Sequence, residues 1–248
     1  MPIRSSTEVI VFPDKNSLSR DAAFRFVGLS HREPNAPFRV VLAGGSTPAL
    51  LYRLLGTPEF IRSVNWDRVH LYFGDERAVS PSNQESNFFM AYENLVSRVP
   101  IPASQVYRLP AEEIDLQSAS RAYERQIRAH FEGFPSPAFD LVLLGMGSDG
   151  HCASLFPGKA SLMEQDRWVI PAEPGLNPFV PRMTFSYPLL NLAKQVLFLV
   201  AGEDKAEALA HVLEGEYQPE RYPAQGISPT QGTVTWLVDI AAASQLRF

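Results

Sequence analysis

The residues best suited to chemistry are Asp149 and His151, which stand together in a glycine-rich loop. The loop follows a continuous apolar run at 141–144, and three glycines fall within residues 145–150. An imidazole exchanges a proton near neutral pH, and a carboxylate beside it can fix its orientation. We therefore predict that His151 acts as a general base or acid in this loop.

A second candidate is Gly44-Gly45-Ser46-Thr47, which lies between an apolar run and Pro48. Proline favours the first turn of a helix, so the pattern predicts a strand, a tight turn and a helix start. Free N–H groups and hydroxyls at a helix start suit a phosphate group. The spacing is neither that of a Walker loop nor that of a dinucleotide-binding loop. An ordinary turn with a Ser or Thr cap is the alternative interpretation.

Asp75, Glu76 and Arg77 follow the strand-like run 69–73. Two carboxylates beside an arginine are able to position a substrate hydroxyl or a water, or to orient a histidine. A surface ion pair is the alternative. The position at a strand end favours a functional role.

Two further cations stand at the ends of later strand-like segments. Arg182 opens one segment, and Lys205 follows the run 196–200. Arginine binds phosphate through paired hydrogen bonds and lysine binds it as a point charge. We predict that both converge with Ser46 and Thr47 on a phosphate dianion, the alternative being that each is a solvated charge.

Cys152 adjoins His151, which raises the possibility of a thiol nucleophile. Sequence neighbours usually point apart, and a Cys–His pair must be close in space, so we predict that Cys152 packs as a small apolar residue. No remaining histidine has a spacing with acidic or cysteine residues that indicates a metal site. The sequence therefore predicts no metal.

The elements that must position these residues alternate between strands and helices. Strands are predicted at 8–12, 39–42, 69–73, 141–144, 168–172, 183–186, 196–200 and 234–238, and helices at 17–29, 48–55, 82–96, 116–131 and 205–213. The helix at 82–96 is predicted from the capping-box pattern at 82–85. Helices between strands favour a parallel sheet with right-handed crossovers, and ligands bind at the carboxyl ends of such strands.

Composition limits the class of protein. The chain has 248 residues, 45% of them hydrophobic, a net charge of −5 and one cysteine. These values predict one domain spanning 1–248, no intrachain disulfide and no nucleic-acid partner. The N-terminus lacks the apolar core of a signal peptide and no run is long enough to span a membrane, so we expect a cytoplasmic protein.

Taken together, the motifs resemble the 6-phosphogluconolactonase family over essentially the whole chain. The matching segments are Leu42–Pro48, Phe73–Arg77, Ser86-Asn87, Leu144–Gly158, Arg182–Thr184, Gly202–Lys205 and the stretch from Trp236 to Ala242. The chain departs from the common family pattern at Ser148, where proline is more frequent, and at Cys152, where threonine is more frequent.

The resemblance implies an α/β fold with a Rossmann-like doubly wound, mostly parallel sheet and helices on both faces. It also implies hydrolysis of 6-phospho-D-glucono-1,5-lactone in the oxidative pentose phosphate pathway, without a cofactor or required metal. The implied partner is the small sugar-phosphate lactone, and the expected assembly is a monomer or small homo-oligomer.

The same resemblance implies a role for each site residue. His151 would be the general base that activates water, with Asp149 and Asp75 orienting the histidine, the water or the sugar hydroxyls. Arg77 would neutralise charge on the substrate or the intermediate. The 6-phosphate and sugar would be held by the remaining site residues: Gly44, Gly45, Ser46, Thr47, Arg182 and Lys205.

Two other functions remain open at this point. One is a glucosamine-6-phosphate deaminase-like isomerase, a family that has Asp-Glu-Tyr where this chain has Asp75-Glu76-Arg77. The other is a non-enzymatic sugar-phosphate sensor. Such sensors usually carry a DNA-binding helix pair, and we expect this acidic chain to have no spare N-terminal segment for one.

Overall fold

The computed structural model describes residues 7–133 and 138–247. Residues 1–6, on which the prediction that the chain lacks a signal peptide partly rests, lie outside this range. The strands are β1 (Thr7–Phe12), β2 (Phe38–Leu42), β3 (Val69–Phe73), β4 (Asp75–Arg77), β5 (Val106–Tyr107), β6 (Leu141–Leu144), β7 (Val169–Ala172), β8 (Arg182–Phe185), β9 (Gln195–Val200) and β10 (Thr233–Asp239). The helices are α1 (Lys15–Ser30), α2 (Ser46–Leu55), α3 (Pro58–Ile61), α4 (Asn87–Asn94), α5 (Leu116–His130), α6 (Tyr187–Leu190) and α7 (Ala206–Glu214).

Seven strands form one parallel sheet in the order β1-β10-β9-β6-β2-β3-β5. Apart from β1, which is added at one edge, this is the strand order of Rossmann folds, and it confirms the predicted doubly wound sheet. The chain passes from β2 to β3 in one direction and from β6 to β9 in the other. The topological switch point therefore lies between β2 and β6.

The central strands are buried at every position. All residues of β2 and of β6 are buried, as are five of the six residues of β9. Side chains of a strand point alternately to opposite faces, so burial at every position requires cover on both faces. The continuous apolar runs of the sequence have this physical cause. Among the described residues, no helix is long and apolar enough to cross a membrane.

Three strands form a second, smaller sheet that is antiparallel, with the order β4-β8-β7. The segments at 168–172 and 183–186 were expected as strands but were not expected to leave the main sheet. No helix separates them, so no crossover can make them parallel neighbours. Gly74 joins the two sheets, because its N–H donates to Leu42 O at 3.0 Å and its carbonyl accepts from Phe185 N at 2.7 Å.

The prediction of a helix starting at Ser82 was wrong: α4 begins at Asn87. The Ser86 hydroxyl caps the helix by accepting from Phe89 N at 3.1 Å. Glu76 then accepts from the N–H groups of Asn87 and Phe88, each at 2.8 Å. A carboxylate ten residues upstream of the cap sets the helix start, and no local pattern reveals such a contact.

Candidate active site at the switch point

The loops that follow β2 and β6 meet at the switch point. A Cβ on Gly145 would lie 3.8 Å from Gly44 O, so the two backbones pass close together. The Gly44 side is crowded as well, because a Cβ there would lie 2.0 Å from Asn87 Oδ1. These glycines let two predicted site loops and the start of α4 approach one another. Open α/β sheets bind ligands in the crevice at this point.

Asp149 and His151 form a hydrogen-bonded pair in the loop after β6. His151 Nδ1 lies 2.6 Å from Asp149 Oδ1, and His151 N donates to the same oxygen at 3.1 Å. Burial opposes the charge of Asp149, but the hydrogen bonds and charge of His151 outweigh it and hold the pKa of Asp149 below its ordinary value. A carboxylate can only accept, so the proton of the neutral imidazole lies on Nδ1 and the lone pair on Nε2. Such a histidine is oriented to act as a base.

Gly147 makes room for this pair. A Cβ at Gly147 would lie 2.0 Å from His151 Nδ1 and 2.6 Å from Asp149 Oδ1. The loop is closed by Gly147 N, which donates to His151 O at 2.9 Å. The glycine is therefore required by the close approach of the imidazole to the backbone.

A downstream segment, residues 218–226, packs against the loop that follows β6, residues 145–158, which we call the histidine loop. Ala224 N donates to Gly150 O, and Gly158 N donates to Glu220 O, each at 2.9 Å. Gly150 has a φ of +81° and faces Tyr222. No pattern in the sequence of this segment signals the contact.

Asp75 is buried and connects three parts of the chain. Its Oδ1 accepts from Asn87 Nδ2 at 3.0 Å, and its Oδ2 accepts from Ser154 Oγ at 2.5 Å. Arg182 Nη1 lies 4.0 Å from Oδ2. Asp75 thus fixes the loop after β3 against α4, the histidine loop and β8. Its described hydrogen bonds do not include one to His151.

Glu76 has a different environment from its neighbour Asp75. Besides the two N–H groups of α4, it accepts from Arg77 N at 2.8 Å and from Ser86 Oγ at 2.9 Å. Burial raises the pKa of Glu76 above its ordinary value, although the four donors oppose the shift. Both of its oxygens are occupied by the chain itself. Asp75 and Glu76 are therefore not a pair of free carboxylates.

Arg77 of β4 and Arg182 of β8 lie opposite each other in the register of the antiparallel sheet. Arg182 is 3% exposed, and its Nη2 donates to Leu176 O at 3.1 Å and to Pro178 O at 3.0 Å. Arg77 Nη1 donates to Glu85 O at 2.5 Å. Within the described chain, the buried Nε atoms of both arginines lack a hydrogen-bond partner. The two guanidinium groups therefore keep donors that an anion could use.

A contact chain joins Arg182 to His151. The guanidinium carbon of Arg182 lies 5.5 Å from the centre of the Phe156 ring, and the His151 ring lies 4.4 Å from the same ring. Phe156 is buried and packs closely on Gly175, where a Cβ would lie 2.3 Å from the ring. One aromatic side chain therefore separates the predicted base from a predicted phosphate ligand.

α2 begins at Ser46, two residues before the predicted start at Pro48, so Ser46 and Thr47 form its first turn instead of belonging to the loop before it. Gly45 precedes them with a φ of +106°, and no side chain caps this helix. Lys205 lies beyond the end of β9, on the same sheet edge, and its described ion-pair partner is Asp204 at 2.9 Å. The structure thus places the start of α2 and Lys205 at the carboxyl ends of strands. The described contacts do not join Lys205 to Ser46 or Thr47.

Lys15 is a cation of this edge that the sequence analysis missed. Its Nζ donates to Ser46 Oγ at 2.9 Å. The signal was present, because Lys15 follows the end of β1 closely and opens α1. The rule that drew attention to Arg77 and Lys205 applies equally to this position.

Cys152 is buried, being 1% exposed. Burial raises the pKa of its thiol far above the ordinary value, and the charges of Asp75 and Asp149 act in the same direction. A thiolate is the reactive form of cysteine, so this thiol is poorly suited to attack a carbonyl. Over the described ranges, no group of three or more His, Cys, Asp or Glu side chains could hold a metal ion.

Comparison with known proteins gives the family. Residues 13–236 match the family described as "Glucosamine-6-phosphate isomerases/6-phosphogluconolactonase". A 6-phosphogluconolactonase of Nostoc sp. is 39% identical over 211 residues, covering 84% of this chain and 85% of the relative. A 6-phosphogluconolactonase of Mycobacterium tuberculosis is 35% identical over 248 residues, covering 97% and 99%. The solved 6-phosphogluconolactonase of Trypanosoma cruzi has a TM-score of 0.85 at 29% identity, covering 99% of this chain and 100% of that one. The chain therefore belongs to the glucosamine-6-phosphate isomerase and 6-phosphogluconolactonase family, as the resemblance of its motifs predicted.

Proposed function

We propose that this protein hydrolyses 6-phospho-D-glucono-1,5-lactone to 6-phosphogluconate. The observation that carries the proposal is the Asp149–His151 pair, which lies in the loop after β6, and this loop passes close to the loop that opens α2 at Gly145 and Gly44. The names of relatives up to 39% identical support the choice of substrate. A lactone is an activated ester, so one base and a binding site for its phosphate suffice for a useful rate.

In the proposed mechanism His151 Nε2 takes a proton from water while the water oxygen attacks C1 of the lactone. The C1 carbonyl becomes a tetrahedral oxyanion, and the bond between C1 and the ring oxygen then breaks. The protonated imidazole returns its proton to the departing ring oxygen, which leaves the base ready for another cycle. Asp149 holds the imidazole and stabilises its positive charge while it carries the proton.

Asp75 acts in this proposal through its neighbours. Its carboxylate positions Asn87 and Ser154, and so sets the shape of the crevice and its contacts with the sugar hydroxyls. Arg77 supplies positive charge for the substrate or the intermediate. These roles place Asp75 in the site without a direct hydrogen bond to His151.

The 6-phosphate is held in this proposal by the N–H and hydroxyl groups of the Gly44–Thr47 loop and by Arg182 and Lys205. The positive end of α2 favours an anion at this place. The unpartnered Nε of Arg182 offers a charged donor. Binding the phosphate fixes the distance of the lactone carbonyl from His151.

One experiment separates the candidate functions. Purified protein is given the phosphorylated lactone and, separately, glucosamine 6-phosphate, while lactone loss and ammonia release are followed. Lactone loss faster than spontaneous hydrolysis, without ammonia release, supports the lactonase. Ammonia release would favour the deaminase-like isomerase, and binding without turnover would favour a sensor.

Three further expectations stay predictions. They are a single domain over 1–248, a cytoplasmic location and a monomeric or small homo-oligomeric state.

A further inference from the structure

Lys15 contacts the start of α2, next to the Gly44–Thr47 loop. It follows β1, at one edge of the main sheet, whereas Arg77 follows β3, near the other edge. The half-buried side chain of Lys15 reaches Ser46, 31 residues further along the chain. Ser46 itself is exposed at the start of α2. The ammonium is thus held at the exposed start of α2.

The charges around Lys15 are unfavourable for a cation. It lies beside the N-terminal end of α2, which is the positive end of the helix dipole. Burial lowers the pKa of Lys15, and the charge of Arg53 acts in the same direction against the charge of Asp239.

Asp239 does not form an ion pair with Lys15. Its Oδ1 accepts from Gly202 N at 3.0 Å and from Ala242 N at 2.8 Å. No carboxylate of the described chain lies within ion-pair distance of Lys15 Nζ. A half-buried cation without a counter-ion is costly, and an anion beside Ser46 would remove the cost.

We propose that Lys15 binds the phosphate group of the substrate together with Ser46 and so selects phosphorylated over unphosphorylated lactones. This inference rests on the proposed function, because it names a further residue of the same site. The ammonium and the Ser46 hydroxyl converge on one phosphate oxygen, the lysine as a point charge and the serine as a donor. Anion binding also restores the counter-charge that Lys15 lacks.

The test compares Lys15→Met with Lys15→Arg and with Lys194→Met. Lys194 lies at the amino end of β9, whereas the candidate site lies at the carboxyl ends of the strands. It contacts Glu33 and Asp140. The Lys194→Met variant therefore removes the same charge at a place distant from the site. Each protein is assayed on 6-phosphoglucono-1,5-lactone and on glucono-1,5-lactone. Each is also titrated with inorganic phosphate by calorimetry, which requires no turnover.

For Lys15→Met we expect the ratio of kcat/KM between the two lactones to fall about tenfold, the size of one hydrogen bond between charged groups. The loss should appear mainly in KM, and phosphate binding should weaken by a similar factor. Lys15→Arg should keep most of the discrimination, and Lys194→Met should match the parent. A merely structural role would lower the melting temperature without changing the ratio.

The two proposals fail in different ways. If the parent hydrolyses the phosphorylated lactone and Lys15→Met discriminates and binds phosphate like the parent, the role of Lys15 is overturned and the proposed function stands. If the parent has no lactonase activity, the proposed function fails, and the phosphate titration alone decides the role of Lys15. Equal phosphate binding by parent and Lys15→Met then overturns it.

Discussion

Replacing Gly147 with alanine tests whether the position of the His151 imidazole limits the reaction. The new Cβ would lie 2.0 Å from His151 Nδ1 and 2.2 Å from Cε1. Ordinary contacts begin at about 3.4 Å, so the ring must move by more than about 1 Å. Gly147 does not adopt a left-handed backbone conformation, because it is not among the glycines with a positive φ. The perturbation is therefore steric.

The magnitude follows from the displacement. A misplacement of about 1 Å in a catalytic group can cost a factor of ~10² in rate, which corresponds to about 2.7 kcal/mol in the activation free energy. The displaced ring also leaves Asp149, so the orientation of the proton on Nδ1 is lost. We expect kcat to fall by about 10² with a smaller change in KM.

The assay is lactone hydrolysis at saturating substrate, with circular dichroism and a melting curve to confirm folding. Gly28→Ala is the matched control, because a Cβ at Gly28 in α1 meets nothing within 4 Å. It should keep full activity and gain slightly in stability. The double variant Gly147→Ala, His151→Ala should be no slower than His151→Ala alone, since both changes remove the same function. A folded Gly147→Ala protein with kcat within about threefold of the parent would refute the reasoning.

Four further predictions concern other side chains. His151→Ala should lower kcat at least ~10²-fold with little change in KM, and near-normal turnover in a folded variant would exclude His151 from the mechanism. Lys205→Ala should weaken binding of the phosphorylated lactone much more than that of glucono-1,5-lactone, whereas equal losses would indicate a structural role. Cys152→Thr should keep most of the activity with no burst of product, and an inactive but folded variant would favour a thiol nucleophile. Burial and the nearby charge of Arg39 hold the pKa of His70 and of His130 below the ordinary 6.5. The unfolded chain therefore binds more protons below that value, and stability that is present above it is lost as the pH falls below 6.5. Melting curves of His70→Gln, His130→Gln protein should show a smaller pH slope, and an unchanged slope would contradict this account.

The main sheet was predictable because its central strands are buried on both faces. Continuous apolar runs at β2, β6 and β9 are the direct result of that burial. The small antiparallel sheet was less readable, since β4 has only three residues and pairs with a strand more than 100 residues away. Its position depends on Gly74, whose backbone bonds both sheets.

The candidate site was predictable where it follows strand ends and not where it depends on packing. The loops after β2, β3 and β6 could be placed on one edge because parallel strands end together. Ser154 could not be linked to Asp75, which lies 79 residues earlier. Asn87 could not be linked to Gly44, since their close approach depends on the position of α4. Such contacts exist only in the folded chain.

The histidine loop is held by hydrogen bonds to distant parts of the chain, and this limits how the site could be transferred to another protein. The loop needs the carboxylate of Asp75 on one side, which accepts from Ser154, and the backbone of Ala224 and Glu220 on the other. A peptide copying residues 145–158 carries the imidazole and its partner Asp149 but neither of these supports. Grafted onto a foreign scaffold, it would keep the chemical groups and lose their arrangement. For a protein engineer the smallest transferable unit is the sheet edge with all its loops.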